Sequence, residues 1–349
     1  MNHQESPTRQ GWTRREFIGV TLAGTAVGLA GYWGWRRFLP EGLPRPFNRE
    51  KPAETFITKA PRYEMDLLSL ILQGLQELKV TPAEIRGKSI LLKPNLVETR
   101  PGAIHITTHP LVVRAAVEAF LHLGAIRVLV AEGVGHRRDS LLVLEESGLA
   151  EVLCEDRIPF VDLNYDTVFT VANAHGATHL ATLTLPETLK QVDWIVSLAK
   201  MKTHHWAGVT LSMKNLFGVM PGSYYGWPKN ILHHAGIEGS IVDINAAVKP
   251  QLAIVDGIIG MEGDGPIMGT PKAAGLLVMG RSLPAVDATC ARIMAINPRR
   301  IPYLNLAAGR LGPIREANIR QLGESIVAVR SPFALIETIP AHQGIRLEL

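Results

Sequence analysis

Apolar residues at Met65, Leu67, Leu68, Ile71, Leu72 and Leu75 recur at helical spacing, which predicts a helix over Tyr63 to Leu78. Ser89 to Leu92 is a short apolar run stopped by Lys93-Pro94, the pattern of a buried strand. Pro110 to Leu123 reads as a helix, with proline early and Gly124 just past its end. Arg127 to Ala131 is the next strand, closed by Glu132-Gly133, and Asp139 caps a predicted helix that runs through Glu146 to a stop at Gly148. Further strands are predicted at Phe160 to Leu163, Val168 to Ala172, Trp194 to Leu198, Leu252 to Val255 and Gly275 to Met279. A helix follows from Ala285 to Ile296, and the glycine-rich stretch from Gly257 to Gly269 reads as a loop.

This alternation predicts an α/β fold: a single large domain over 63–349, its mainly parallel sheet covered by helices. No repeat at a fixed period and no second linker divides it. Upstream, the pattern changes. Thr13-Arg14-Arg15-Glu16-Phe17-Ile18 precedes an uncharged run from Ile18 to Trp35. A basic flank before an apolar stretch is the layout of an export signal, and the pair Arg14-Arg15 selects the twin-arginine (Tat) route. Tyr32, Trp33, Trp35 and Arg36-Arg37 would suit a membrane interface, so residues 1–37 read as a Tat signal or an N-terminal anchor helix. Residues 38–62, with five prolines between Leu39 and Pro61, read as an extended linker. The expected location is the periplasm or the outer face of the cytoplasmic membrane, with the Tat translocase as a partner. If the leader is uncleaved, the membrane is a second partner.

Charge sharpens the picture. Residues 1–62 hold 10 of the 36 Lys/Arg and 5 of the 32 Asp/Glu, so the body is within one charge of neutral and has no field to draw nucleic acid. Cys154 and Cys290 are too few for a disulfide framework, or for an iron–sulfur cluster built from this chain's own thiolates.

In a parallel sheet, ligands sit beyond the carboxyl ends of the strands. Polar segments follow several predicted strands here: Lys93-Pro94-Asn95, Glu132-Gly133-Val134-Gly135-His136, Lys200-Met201-Lys202-Thr203-His204-His205 and Asp256-Gly257. Lys93, Lys200, Lys202 and Lys214, with the backbone amides near Gly133 and Gly135, would suit a phosphate or carboxylate. Asn95, Glu132, Thr210, Asn215, Gly263 and Gly265 complete the expected binding set. On a helix, Thr210 and Lys214 would share a face. His204 is the expected proton carrier, with Glu262 or Asp256 as acid/base groups. His109, His204, His233 and Asp256 are candidate ligands for a divalent metal, although no pair has the HExxH spacing. Gly133-Val134-Gly135 lacks the third glycine of a dinucleotide fingerprint, and no Walker-A or Gly-x-Ser-x-Gly pattern occurs.

Between about Ser89 and Ile296 the chain resembles domain-of-unknown-function family 362. The resemblance rests on Leu92-Lys93-Pro94-Asn95-Leu96, Thr108-His109-Pro110, Glu132-Gly133, Lys200-Met201-Lys202-Thr203-His204 and Val209-Thr210-Leu211. Lys214-Asn215-Leu216-Phe217-Gly218, Asp256 to Gly263, Gly265-Pro266 and Asp287 complete it. The resemblance assigns no reaction. Some members carry iron–sulfur motifs, from which this chain departs. Two functions are therefore expected. One is an exported enzyme or binding protein for a small anionic ligand, with or without a metal. The alternative is a non-catalytic accessory or assembly protein of a membrane-associated iron–sulfur or redox system.

Overall fold

A computed structural model describes residues 51–348. The arginine pair, the expected anchor helix and the linker up to residue 50 lie outside the described residues.

Strands β1 (Ala53–Lys59), β2 (Ser89–Pro94), β3 (Arg127–Glu132), β4 (Phe160–Asp162), β7 (Trp194–His204), β9 (Leu252–Glu262), β11 (Leu276–Gly280) and β12 (Ile319–Gly323) make the main sheet. Between β4 and β7 in the chain, β5 (Val168–Ala172) and β6 (Thr182–Pro186) form a separate hairpin. The order across the main sheet is β12-β1-β11-β9-β7-β2-β3-β4, and β8 (Gly208–Thr210) and β10 (Thr270–Lys272) add short antiparallel extensions to β7 and β9. Along the main path only β11 runs against the rest. The result is the expected large, mainly parallel sheet in an α/β body.

All eleven residues of β7 are buried, as a central strand covered on both faces requires. Helices Leu67–Glu77, Pro110–His122 and Leu149–Glu155 pack one face, where Phe56, Ile71, Leu92 and Phe120 meet. Helices Ile237–Val248, Leu283–Ile293 and Pro302–Ala307 belong to the other, where Ile244, Val255, Val286 and Tyr303 meet. Among the described residues no helix is long and apolar enough to cross a membrane.

Three expectations need correction. Residues 53–59 are not linker: they form β1, inserted between β11 and β12. Pairing on both sides outweighs the prolines nearby. Lys200 to His204 and Gly257 to Glu262 are not loops but the second halves of β7 and β9. Nor do Thr210 and Lys214 share a helix, since Thr210 closes β8 and Lys214 sits in the turn of helix Ser212–Asn215.

Candidate functional site

Strands β3, β2, β7 and β9 lie side by side and parallel, so their carboxyl ends bring Glu132, Lys93, Lys200, Lys202 and Asp256 to one edge. None of these five side chains is on the surface. A buried charge without a partner is costly, so what faces each one decides its role.

Lys93 Nζ donates to Glu132 Oε2 at 2.5 Å, to the Pro94 carbonyl at 2.8 Å and to Asn215 Oδ1 at 3.1 Å. Glu132 also accepts from the amides of Leu96 and Gly133. Asn215 returns its Nδ2 to the Lys93 carbonyl and to Ser197 Oγ, and Asn95 Nδ2 donates to Asn215 Oδ1. The pair is thus locked into the scaffold. Burial lowers the Lys93 pKa and Glu132 opposes that shift. The amides expected to cradle an anion are already used, Gly133 N by Glu132 and the Gly218 carbonyl, Gly135 N by the Val97 carbonyl. Gly218 is required here, because a Cβ would fall 2.0 Å from Glu132 Oε1 and 2.7 Å from Lys93 Nζ.

Lys200 Nζ donates to Asp256 Oδ2 and to Tyr63 OH, each at 2.8 Å. Tyr63 OH donates to Asp256 Oδ1 at 3.2 Å, and the amides of His109 and Ile258 complete the shell of Asp256. Burial, then the Asp256 charge, push the Tyr63 pKa up. The His109 ring stacks on Tyr63 at 3.6 Å and accepts from Leu111 N. Burial brings its pKa down to about 4. Asp256 is therefore held as a counter-ion, its oxygens filled by donors, rather than left free as the expected acid/base group would be.

Lys202 differs. It is fully buried, yet among the described residues its Nζ reaches only the carbonyls of Ile106 at 2.7 Å and Pro266 at 3.2 Å. Burial lowers its pKa well below the ordinary value, and the charges of Lys200, Lys214 and Lys93 push the same way. Opposite it in register, Thr210 has a buried hydroxyl without a hydrogen-bond partner among the described residues, and Asn95 Oδ1 is likewise unpartnered there. Lys214 is half-buried and lies over the Phe217 ring at 4.1 Å, with no carboxylate or hydrogen-bond acceptor among the described residues. Burial, then repulsion from Lys229 and Lys93, bring its pKa down to about 7. Lys229, buried, bonds the Gly133 carbonyl, and burial brings its pKa down to about 8.

His204 ends β7 with Nδ1 accepting from the amides of Trp206 and Ala207. That assigns the ring proton to Nε2, leaving it as the only donor on the ring. Burial, then the Lys214 charge, lower its pKa well below the usual histidine value. Beside it an open cleft of about 620 Å³ is lined by His205, Trp206, His233, Ile237 and residues 338–341. The Phe217 ring lies 5.0 Å from the ring of His233, which lines the cleft, and also lies under Lys214 Nζ.

Other expected residues go elsewhere. Glu262 accepts from Ala334 N at 2.8 Å and faces Lys272 at 3.6 Å, which ties down the C-terminal segment. Gly263 and Gly265 serve close packing against β7: Thr203 Oγ1 donates to the Gly263 carbonyl, and a Cβ on Gly265 would meet Thr203 O at 2.0 Å. The metal set is not assembled either. Among the described residues no three His, Cys, Asp or Glu side chains gather as ligands, and the carboxylate of Asp256 is committed to Lys200 and Tyr63.

Sequence reasoning missed Tyr63 and Lys229, which carried no local signal, and gave Asp287 no role. Buried Asp287 accepts from the amides of Ser212 and Met213 and from Tyr303 OH. It fixes the start of the turn that presents Lys214 and Asn215. Burial raises its pKa to about 6, against those hydrogen bonds.

Residues 90–292 match the family described as Domain of unknown function (DUF362). A thylakoid-associated protein of Synechocystis sp. is 31% identical over 233 residues, which is 65% of this chain and 68% of that one. Among solved structures, the lactate racemase apoprotein of Thermoanaerobacterium thermosaccharolyticum aligns over 72% of this chain and 59% of its own, at 12% identity and a TM-score of 0.40. A Thermotoga maritima protein aligns over 64% and 58%, at 14% identity and a TM-score of 0.36. The chain thus spans less than two thirds of either solved neighbour, and at these scores neither bears on its chemistry.

Proposed function

The chain belongs to the family described as Domain of unknown function (DUF362), and from that premise we propose that its lysine cluster holds a small phosphate- or carboxylate-bearing ligand. The observation that supports this reading is an imbalance of buried charge. Among the described residues, buried Lys93, Lys200, Lys202 and Lys229 stand against buried Glu132 and Asp256, with half-buried Lys214 on one side of the balance and half-buried Asp162, near Lys229, on the other. Each excess ammonium must lose its proton or meet an anion. An anion on Lys202 and Lys214 supplies the missing charge, and the unpartnered Thr210 hydroxyl adds a neutral contact. A catalytic step on that ligand would use the Nε2–H of His204 as a hydrogen-bond donor to charge developing on the ligand.

The test is thermal melting of the full chain with phosphate and small carboxylates, against chloride at matched ionic strength. A ligand at 100 times its Kd adds about 2.7 kcal/mol. If no anion exceeds chloride, the reading is wrong.

Export and membrane association form the second part of the proposal. They are supported by the thylakoid association of the relative and by Arg14-Arg15 before an uncharged run. The Tat translocase and the membrane would then be partners, and an accessory role beside a redox complex is the alternative to ligand chemistry. Replacing both arginines with lysine should abolish export. Unchanged delivery of that variant would remove the Tat reading.

A further inference from the structure

The proposed anion site leaves open what happens to the ligand, and Lys214 bears on that. Its amine has three properties that rarely coincide. No carboxylate or hydrogen-bond acceptor among the described residues engages it, so its lone pair and protons are not tied to the scaffold. The charges acting on it most strongly are the cations Lys229 and Lys93. The one nearby anion, Glu132, already serves Lys93 Nζ and the amides of Leu96 and Gly133. Finally, it rests on Phe217, whose ring also lies 5.0 Å from that of His233 in the lining of the open cleft. An amine taken from water and crowded by cations is driven toward its neutral form, and a neutral lysine amine is a nucleophile for carbonyl carbon.

We propose that Lys214 Nζ forms an imine with the carbonyl of a small anionic aldehyde or 2-oxo acid, whose carboxylate or phosphate lies against Lys202. This rests on the anion reading above and names the substrate class for it. In the step, the Nζ lone pair makes a bond to the carbonyl carbon, and the carbonyl oxygen takes a proton to give a carbinolamine. Loss of that oxygen as water leaves a carbon–nitrogen double bond. No oxidant or reductant is consumed. The two protons on the departing water are the two that Nζ gives up, and His204, with its single ring proton on Nε2 and with Lys214 the strongest charge acting on it, is the group suited to hydrogen-bond the departing oxygen.

The experiment incubates the full chain with glyoxylate or pyruvate and sodium cyanoborohydride, which reduces an imine to a stable secondary amine. Labelled peptides are then mapped by mass spectrometry. The expected result is a dominant adduct on the peptide carrying Lys214, about ten-fold or more above any exposed lysine at neutral pH. Its rate should rise with pH through a midpoint near 7, where an ordinary lysine would respond only near its usual value of about 10.4. Lys214→Arg keeps the charge but cannot form the imine, so it should lose the adduct. Labelling spread over surface lysines, or undiminished in Lys214→Arg, overturns the imine. If phosphate still stabilises the parent in that case, the anion site survives. If no anion stabilises the parent, both readings fall. The mapping on the parent stands by itself should Lys214→Arg fail to fold.

Discussion

Lys200 and Lys202 stand two residues apart on β7, and both are fully buried. They differ in what faces them. Lys200 meets a carboxylate and a phenol, whereas Lys202 meets two main-chain carbonyls. Carbonyls satisfy the protons of an ammonium without cancelling its charge. Both lysines therefore carry a similar cost of leaving water, and only one has it offset within the fold. The contrast extends across the sheet. Lys93 with Glu132, like Lys200 with Asp256, belongs to the scaffold, while Lys202 and Lys214 have no carboxylate partner among the described residues.

The sharpest way to break this comparison is to unpair Lys200. Asp256→Asn should destabilise the protein by about 3–5 kcal/mol in urea unfolding, because a buried ammonium is orphaned. Combining it with Lys200→Met should recover most of the loss. A cost under about 1 kcal/mol would erase the distinction between the two lysines. Lys202→Met should leave stability unchanged or raise it, since no carboxylate loses a partner. In the same variant, anion affinity measured by calorimetry should drop by about 2 kcal/mol or more. Thr210→Val keeps the shape and deletes an unpartnered buried hydroxyl. It should raise stability by about 1 kcal/mol while weakening the anion, whereas a loss of stability would place that hydroxyl in the scaffold.

The smallest effect is a slope. Lys214 and Lys229 have folded pKa values near 7 and 8, below the ordinary 10.5. Between those values and about 10.4 the unfolded chain holds more protons, so stability should climb as pH rises from about 7 to about 10. The contribution is complete above the unfolded value and is lost as pH falls through the folded ones. Anion affinity should run the other way. Lys214→Met should flatten the stability slope, and an unaltered slope would assign it to other groups.

These variants target residues that the sequence revealed unevenly. Strands β2 and β3 and the helix at Pro110–His122 were legible because apolar runs ended at Pro94, Gly133 and Gly124. The helix at Ser140–Glu146 was legible from its cap, since Asp139 accepts from the amides of Leu141 and Leu142. The lysines of β7 hid the rest of their own strand, because a lysine reads as solvated unless its counter-ion is known. That counter-ion, Asp256, comes from a strand 56 residues away. The helix Ile237–Val248 left no stripe to read, since nine of its residues are buried, Asp243 among them. Asp243 is held by the amides of Ala177 and Thr178, which local pattern cannot foresee. Lys214 was found as a candidate, but its setting was not: Asp287 and Tyr303, which secure its turn, lie more than seventy residues downstream.

The insertion of β1 between β11 and β12 has a consequence for the order of assembly. Its partners are residues 276–280 and 319–323, so the first strand of the body to leave the ribosome finds both neighbours only when nearly all of the chain has emerged. Contacts of such sequence separation form late, after the costly closure of a long loop. Until then Phe56 and Ile57, which end up in the two cores on opposite faces of the sheet, are unprotected. The step that completes the sheet is thus also the one that joins the two ends of the body, and an unpaired strand waiting for it is open to off-pathway association.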